Sequence, residues 1–218
     1  AKAFEFATEA ANEGDYFGMF QLAVCYDEGL GVDKNWIAAL RWYERCKDKY
    51  PCSVHINIGV LYKSGGYGIA RDYVKAAEYF RKAINLGSSV ANFHLGYMYF
   101  KGFGVATSYG YARQLYETSA NDGFDHAQFA LGKMMINGQG GRKHYAEGFN
   151  WFDKAAKQGY KEAKEFKEET KKITDQIDIL NKHRDSTASF SHPTQFVMIV
   201  QVLHALLLDG GLKEARSI

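Results

Sequence analysis

The sequence predicts an all-α fold: an α-solenoid of stacked antiparallel helix pairs, a superhelical repeat array, with a C-terminal capping helix. Three observations predict it. A frame of small and apolar residues opens at Gly18, Val54, Ala91 and Ala127, in steps of 36, 37 and 36 residues, and again at Ala163. The glycines fall at fixed phases of that frame rather than in runs. Only two prolines, Pro51 and Pro193, interrupt the 218 residues. A period of this length marks stacked supersecondary units, each too small to bury its apolar face alone.

Residues 1–17 read as the second helix of a preceding or partial repeat. Glu9-Ala10-Ala11-Asn12-Glu13-Gly14 ends as Lys154-Ala155-Ala156-Lys157-Gln158-Gly159 does, and Phe6 stands where Trp151 stands. The stretch is expected to be either part of a longer array or a lone half-unit that caps it. Four repeats follow, at 18–53, 54–90, 91–126 and 127–162. One slipped residue lies in the loop Gly65-Gly66-Tyr67-Gly68.

Each repeat reads as two helices. In the first helix, Ala91, Leu95, Gly96 and Tyr99 share one face of a 3.6-residue period. Gly102 ends that helix as a left-handed cap, and Gly29, Gly65 and Gly138 are expected to do the same. The second helix starts after Asn35, Asp72, Ser108 and His144, and the first three can accept from free first-turn N–H groups. Its apolar face runs through Ala76, Tyr79, Phe80, Ala83 and Ile84, and Gly87 closes it.

Glycine inside a helix costs about 1 kcal/mol relative to Ala. Gly59, Gly96 and Gly132 share one phase, with Ala23 as the fourth, so a compensating close approach is expected. The facing bulk is expected from Trp42, Tyr79, Leu115 and Trp151. Past Ala163, the residues Phe166, Thr170, Ile173, Ile177 and Leu180 form one stripe on a charged helix, predicting a capping helix over 163–180. Residues 181–193 read as a linker. Residues 194–218 read as an apolar helix and tail, with 194–208 expected to fold back on the array or to self-associate.

The motif formed by Leu95-Gly96, Tyr99, Gly102, Gly104-Val105, Ala112, Ala120, Gly123 and Ala127 resembles the Sel-one-like repeat family, relatives of tetratricopeptide repeats. It recurs in Leu131-Gly132, Gly138, Trp151-Phe152, Lys154-Ala155-Ala156, Gly159 and Ala163, and in Gly29-Leu30-Gly31-Val32 with Trp42-Tyr43. The resemblance covers roughly residues 2–163. Val54 at the opening Ala, Met135 at the Tyr and the missing Gly near Lys49-Tyr50 depart from it. The resemblance implies an adaptor that holds partner proteins, and it brings no catalytic residues.

The chemistry visible in the residues agrees with a non-enzymatic role. There is no H-E-x-x-H, G-x-S-x-G, S-x-x-K or phosphate-loop signature. Gly65-Gly66-Tyr67-Gly68 and Gly138-Gln139-Gly140-Gly141 sit at the turn phase of the repeat and are expected to be turns. The seven histidines share no phase, so no metal site and no cofactor is expected. A formal charge of +2 gives no bulk field that would select nucleic acid or an anionic membrane. The longest apolar run, Phe196 to Leu208, is too short to span a bilayer. Cys46 and Cys52 are spaced for a disulfide in an oxidising compartment, or stay reduced otherwise; nothing else in the sequence selects a compartment.

The expected function is a scaffold that binds a peptide or a partner-protein segment on the concave face. That face is expected to carry first-helix residues free of the packing pattern: Asn57, Lys63, Asn92, Tyr97, Lys101, Gln128, Lys133 and Asn137. Two alternatives stand beside it. One is an oligomer-forming module acting through the C-terminal tail. The other is β-lactam binding or hydrolysis, which the Cys-rich members of the resembled family suggest and for which this chain has no evident nucleophile.

Overall fold

A computed structural model describes residues 2–169 and 171. They are all-helical, and the described residues contain no strand. The chain divides into two compact units, Ala1–Thr118 and Ser119–Ile218. The first unit holds α1 (Lys2–Asn12), α2 (Tyr16–Glu28), α3 (Trp36–Cys46), α4 (Pro51–Ser64), α5 (Tyr73–Asn85), α6 (Ser89–Lys101) and, up to Thr118, α7 (Tyr109–Asn121). The second holds the end of α7, then α8 (Asp125–Asn137), α9 (Tyr145–Lys157) and α10 (161–169). Helices pack in consecutive pairs: α1 on α2, α2 on α3, α4 on α5 and α5 on α6 in the first unit, α8 on α9 in the second. The capping-helix expectation is described only through 169, where the chain is helical. The linker 181–193 and the apolar segment 194–218 lie outside the described residues.

Helix ends follow from local chemistry. Asp15 accepts from Gly18 N at 2.7 Å, Asn35 from Ala38 N at 3.0 Å, Asp72 from Lys75 N at 2.9 Å and Ser88 from Ala91 N at 3.1 Å. His144 makes no such side-chain bond. Pro51 opens α4, where the missing N–H costs nothing. Gly29, Gly102 and Gly138 close their helices in the left-handed region. Gly65 departs from that expectation, with φ 66° and ψ 144°. The inserted residue here makes a tight turn, in which Gly66 and Ile69 exchange backbone bonds of 2.8 and 2.9 Å.

A recurring main-chain bond folds each pair. The N–H of the residue capping the second helix donates back to the first: Asn35 to Tyr26 O, Asp72 to Tyr62 O, Ser108 to Tyr99 O and His144 to Met135 O, at 2.8 to 3.0 Å. Only the carbonyl is used, so Met135 serves as well as a tyrosine.

The openers Val54, Ala91, Ala127 and Ala163 are wholly buried, and Gly18 is buried. The mid-helix glycines are contact notches. A Cβ on Gly59 would lie 2.7 Å from the Phe80 ring, one on Gly96 3.0 Å from Tyr116, and one on Gly132 2.8 Å from Phe152. The facing ring is therefore one residue later than the sequence reading placed it. Tyr43, Phe80, Tyr116 and Phe152 are buried, whereas Trp42, Tyr79 and Trp151 lie half-buried beside them. Leu115 touches the Gly96 notch with its Cβ, 3.3 Å away, but the Tyr116 ring fills it. One residue is 100° of helix, so either member of an aromatic doublet fits the periodic pattern. All three thiols are free, with Cys25 and Cys46 buried and Cys52 half-buried.

Candidate functional site

The first unit carries a cleft of about 360 Å³ lined by Lys63 and Ser64 from α4, Arg71 and Tyr73 from the α5 entry, Phe93, His94 and Tyr97 from α6, and Phe103 from the loop beyond it. Its position follows from the repeat. The last turn of a first helix and the first turn of its second helix meet the next first helix.

Rings build the walls. Tyr73 is the first residue of α5, and its ring stacks on Phe103 with centroids 4.5 Å apart and planes at 7°. Gly104 allows this, because a Cβ there would collide with the Tyr73 backbone. Tyr97 meets Phe103 edge-on at 6.0 Å, and Phe93 leans on Tyr116 at 5.6 Å. Two cations border the rings. Lys63 Nζ lies 5.9 Å from the Tyr97 ring centroid, and burial pulls the ammonium below the usual lysine range. Arg71 donates through Nε to Ser64 O at 2.9 Å and through an Nη to Tyr73 Oη at 3.5 Å. A guanidinium has five donors, so others remain for a ligand.

Of the residues expected to contact a partner, the cleft brings together Lys63 and Tyr97. Asn57 is half-buried and donates to Tyr43 Oη at 3.0 Å; that hydroxyl in turn donates to Asp27 at 3.2 Å. Asn92, at 8% exposure, bonds Ser88 O, and Gln128, at 4%, bonds Ala120 O. Asn92 thus bonds the start of its own helix and Gln128 the end of α7, and neither side chain is on the surface. Lys101 is exposed beside Phe100. In the second unit, Lys133 is half-buried over Phe129, and Asn137 ends α8 half-buried. Arg71, Tyr73, Phe93 and Phe103 were not singled out from the sequence. The available signal was an aromatic opening every second helix: Trp36, Tyr73, Tyr109 and Tyr145. Among the described residues, no group of three His, Cys, Asp or Glu side chains could hold a metal ion. No described helix is long and apolar enough to cross a membrane.

The Sel1 repeat family model matches the chain at residues 1–15, 17–45, 54–88, 89–124 and 125–160. Among solved structures, the chain is similar to a Sel1 repeat protein from Oxalobacter formigenes, with 26% identity, a TM-score of 0.66, and coverage of 73% of this chain and 63% of that one. It is also similar to a protective antigen of uropathogenic Escherichia coli that displays an SLR fold, with 29% identity, a TM-score of 0.62, and coverage of 73% and 34%. These likenesses place the helix pairs in the α-solenoid class. Over 101 residues it is 31% identical to an ERAD-associated E3 ubiquitin-protein ligase component, HRD3B, from Arabidopsis thaliana, spanning 45% of this chain and only 15% of that protein.

Proposed function

The chain belongs to the Sel1 repeat family, and from that premise we propose that it is a non-enzymatic scaffold that grips a segment of another polypeptide in the α4–α5–α6 cleft. One observation carries the reading. Lys63, Arg71, Tyr97 and the Tyr73–Phe103 pair line a concavity that repeat packing does not fill. Ring faces give sequence-tolerant apolar contact, and the cationic donors fix polar groups of a bound chain. Likeness to a named component of a ligase assembly supports a place within a complex. The absence of any catalytic signature in the sequence fits the same role.

Cross-linking mass spectrometry on the purified chain with its captured partner tests the proposal. Cross-links from Lys63 and a photo-reactive residue replacing Tyr97 should reach the partner, and Tyr97→Ala should weaken capture without unfolding the helices. Cross-links confined to Lys82 and Lys47, away from the cleft, would refute it.

A further inference from the structure

Resting on that reading, we infer that the cleft selects an extended segment carrying a carboxylate side chain, Asp or Glu, next to an aromatic or large apolar one. The argument is a charge inversion between two equivalent sites in the first unit. In the first pair, the end of α2 carries Asp27-Glu28. Asp27 accepts from Tyr43 Oη at 3.2 Å, and Glu28 lies 4.0 Å from Lys34 in the following loop. One repeat on, the same two positions at the end of α4 are Lys63-Ser64, while the loop cation is kept as Arg71.

The second site therefore holds the cation without its carboxylates and adds another cation. The lining includes no Asp or Glu. Asp72, the acid adjacent in sequence, is engaged with the N–H of Lys75 at 2.9 Å and with the Lys75 ammonium at 3.7 Å. Among the described residues, no carboxylate pairs with Lys63 or Arg71. Later repeats confirm that no cation is needed here for packing, since the position of Lys63 becomes Phe100 and then Ile136.

A half-buried ammonium without a counter-charge is a standing cost, which a ligand carboxylate offsets by a charge-assisted bond. The Tyr97 ring, 5.9 Å from the Lys63 ammonium, and the Tyr73 ring, 5.8 Å from the Arg71 guanidinium and stacked on Phe103, receive the neighbouring apolar side chain. A near-neutral chain of net charge +2 offers no wider field for a polyanion, so the recognition is local.

Fluorescence anisotropy with the full chain tests this. The probe is a synthetic fluorescein-labelled peptide of alternating Glu and Phe, run against Gln/Phe and Lys/Phe versions and against oligo-dT. Hydrogen bonds to charged groups contribute enough for a roughly ten- to hundredfold preference for Glu/Phe over Gln/Phe. Lys63→Met should abolish that preference, with helical circular dichroism and the unfolding midpoint unchanged to show that the variant folded. Lys63→Glu should turn the preference toward Lys/Phe, and Lys82→Met should change nothing. Equal binding of Glu/Phe and Gln/Phe, both lost in Tyr97→Ala, overturns the charge selection and leaves the peptide cleft standing. Oligo-dT competing as well as Glu/Phe overturns the inference in favour of a general polyanion site. No binding of any peptide, with cross-links elsewhere on the chain, overturns the inference together with the reading beneath it.

Discussion

Replacing four helical glycines with alanine, one at a time, separates close approach from helix propensity. Alanine is favoured over glycine inside a helix by roughly 0.5–1 kcal/mol. At Gly110 nothing lies within 4 Å of the added Cβ, so only that gain remains and the variant should be stabilised by a few tenths to about 1 kcal/mol. At Gly96 the Cβ lies 3.0 Å from the Tyr116 ring, whose edge can yield slightly, and gain and strain should nearly cancel. At Gly59 it lies 2.7 Å from the Phe80 ring, which is fully buried and has no direction of retreat. At Gly132 it lies 2.8 Å from the carbonyl oxygen of Gly148 as well as from Phe152, so α8 and α9 must part by roughly 0.5–1 Å to restore ordinary contact. Overpacking of this kind costs about 1–3 kcal/mol, which outweighs the propensity gain at Gly59 and Gly132. Net destabilisation of roughly 1–2 kcal/mol is expected at both. Urea unfolding followed by helical circular dichroism, fitted as a repeat array rather than as one two-state step, measures the series. Equal effects at Gly110 and Gly132 would refute the notch argument, because propensity alone predicts that equality.

Three other perturbations follow from the packing and its charges. Phe152→Ala should cost about 3–5 kcal/mol, since the ring is 3% exposed and meets Phe129 and Phe166 at 5.1 and 4.7 Å, whereas Trp151→Ala, whose half-buried ring contacts Lys154, should cost roughly 1–2 kcal/mol by the same unfolding assay; the reverse order would put the ring phase back where the sequence suggested. Tyr43→Phe should lower stability by about 1–3 kcal/mol, because Asp27 and Asn57 lose the buried hydroxyl between them, and an unchanged midpoint would show that the network is not formed. Burial, reinforced by Lys82 and Lys47 and opposed by Glu44, holds His55 below its ordinary value of 6.5, so its contribution is complete above that pH and is lost as pH falls through the lower folded value. The pH dependence of stability should flatten below about 6.5 in His55→Gln, as read by thermal unfolding against pH, and identical slopes would contradict the assignment.

The register of the fold was legible because its determinants are local and repeated. The buried openers at Val54, Ala91, Ala127 and Ala163, the caps at Asn35 and Asp72, and the left-handed glycines all occupy fixed phases. The doublets Trp42-Tyr43, Tyr79-Phe80 and Trp151-Phe152 were not resolvable by period alone, since both members are bulky and adjacent on the wheel. Lys63 and Tyr97 stood out because they are off the packing pattern. Asn92 and Gln128 share that feature but are buried, since a polar side chain can bond a carbonyl at a nearby helix end, the start of α6 for Asn92 and the end of α7 for Gln128, a partner that spacing does not reveal. Arg71, Tyr73 and Phe103 reach the cleft from a helix start and two loops, whose geometry comes from Gly65 and Gly104 rather than from helical periodicity.

Hydrogen–deuterium exchange of the full chain, with and without saturating Glu/Phe peptide, tests the central claim most directly. The account predicts added protection in segments 63–73 and 93–103, which carry the cleft lining, and less of it with the Gln/Phe peptide. Protection that spares both segments and appears on other helices would contradict it.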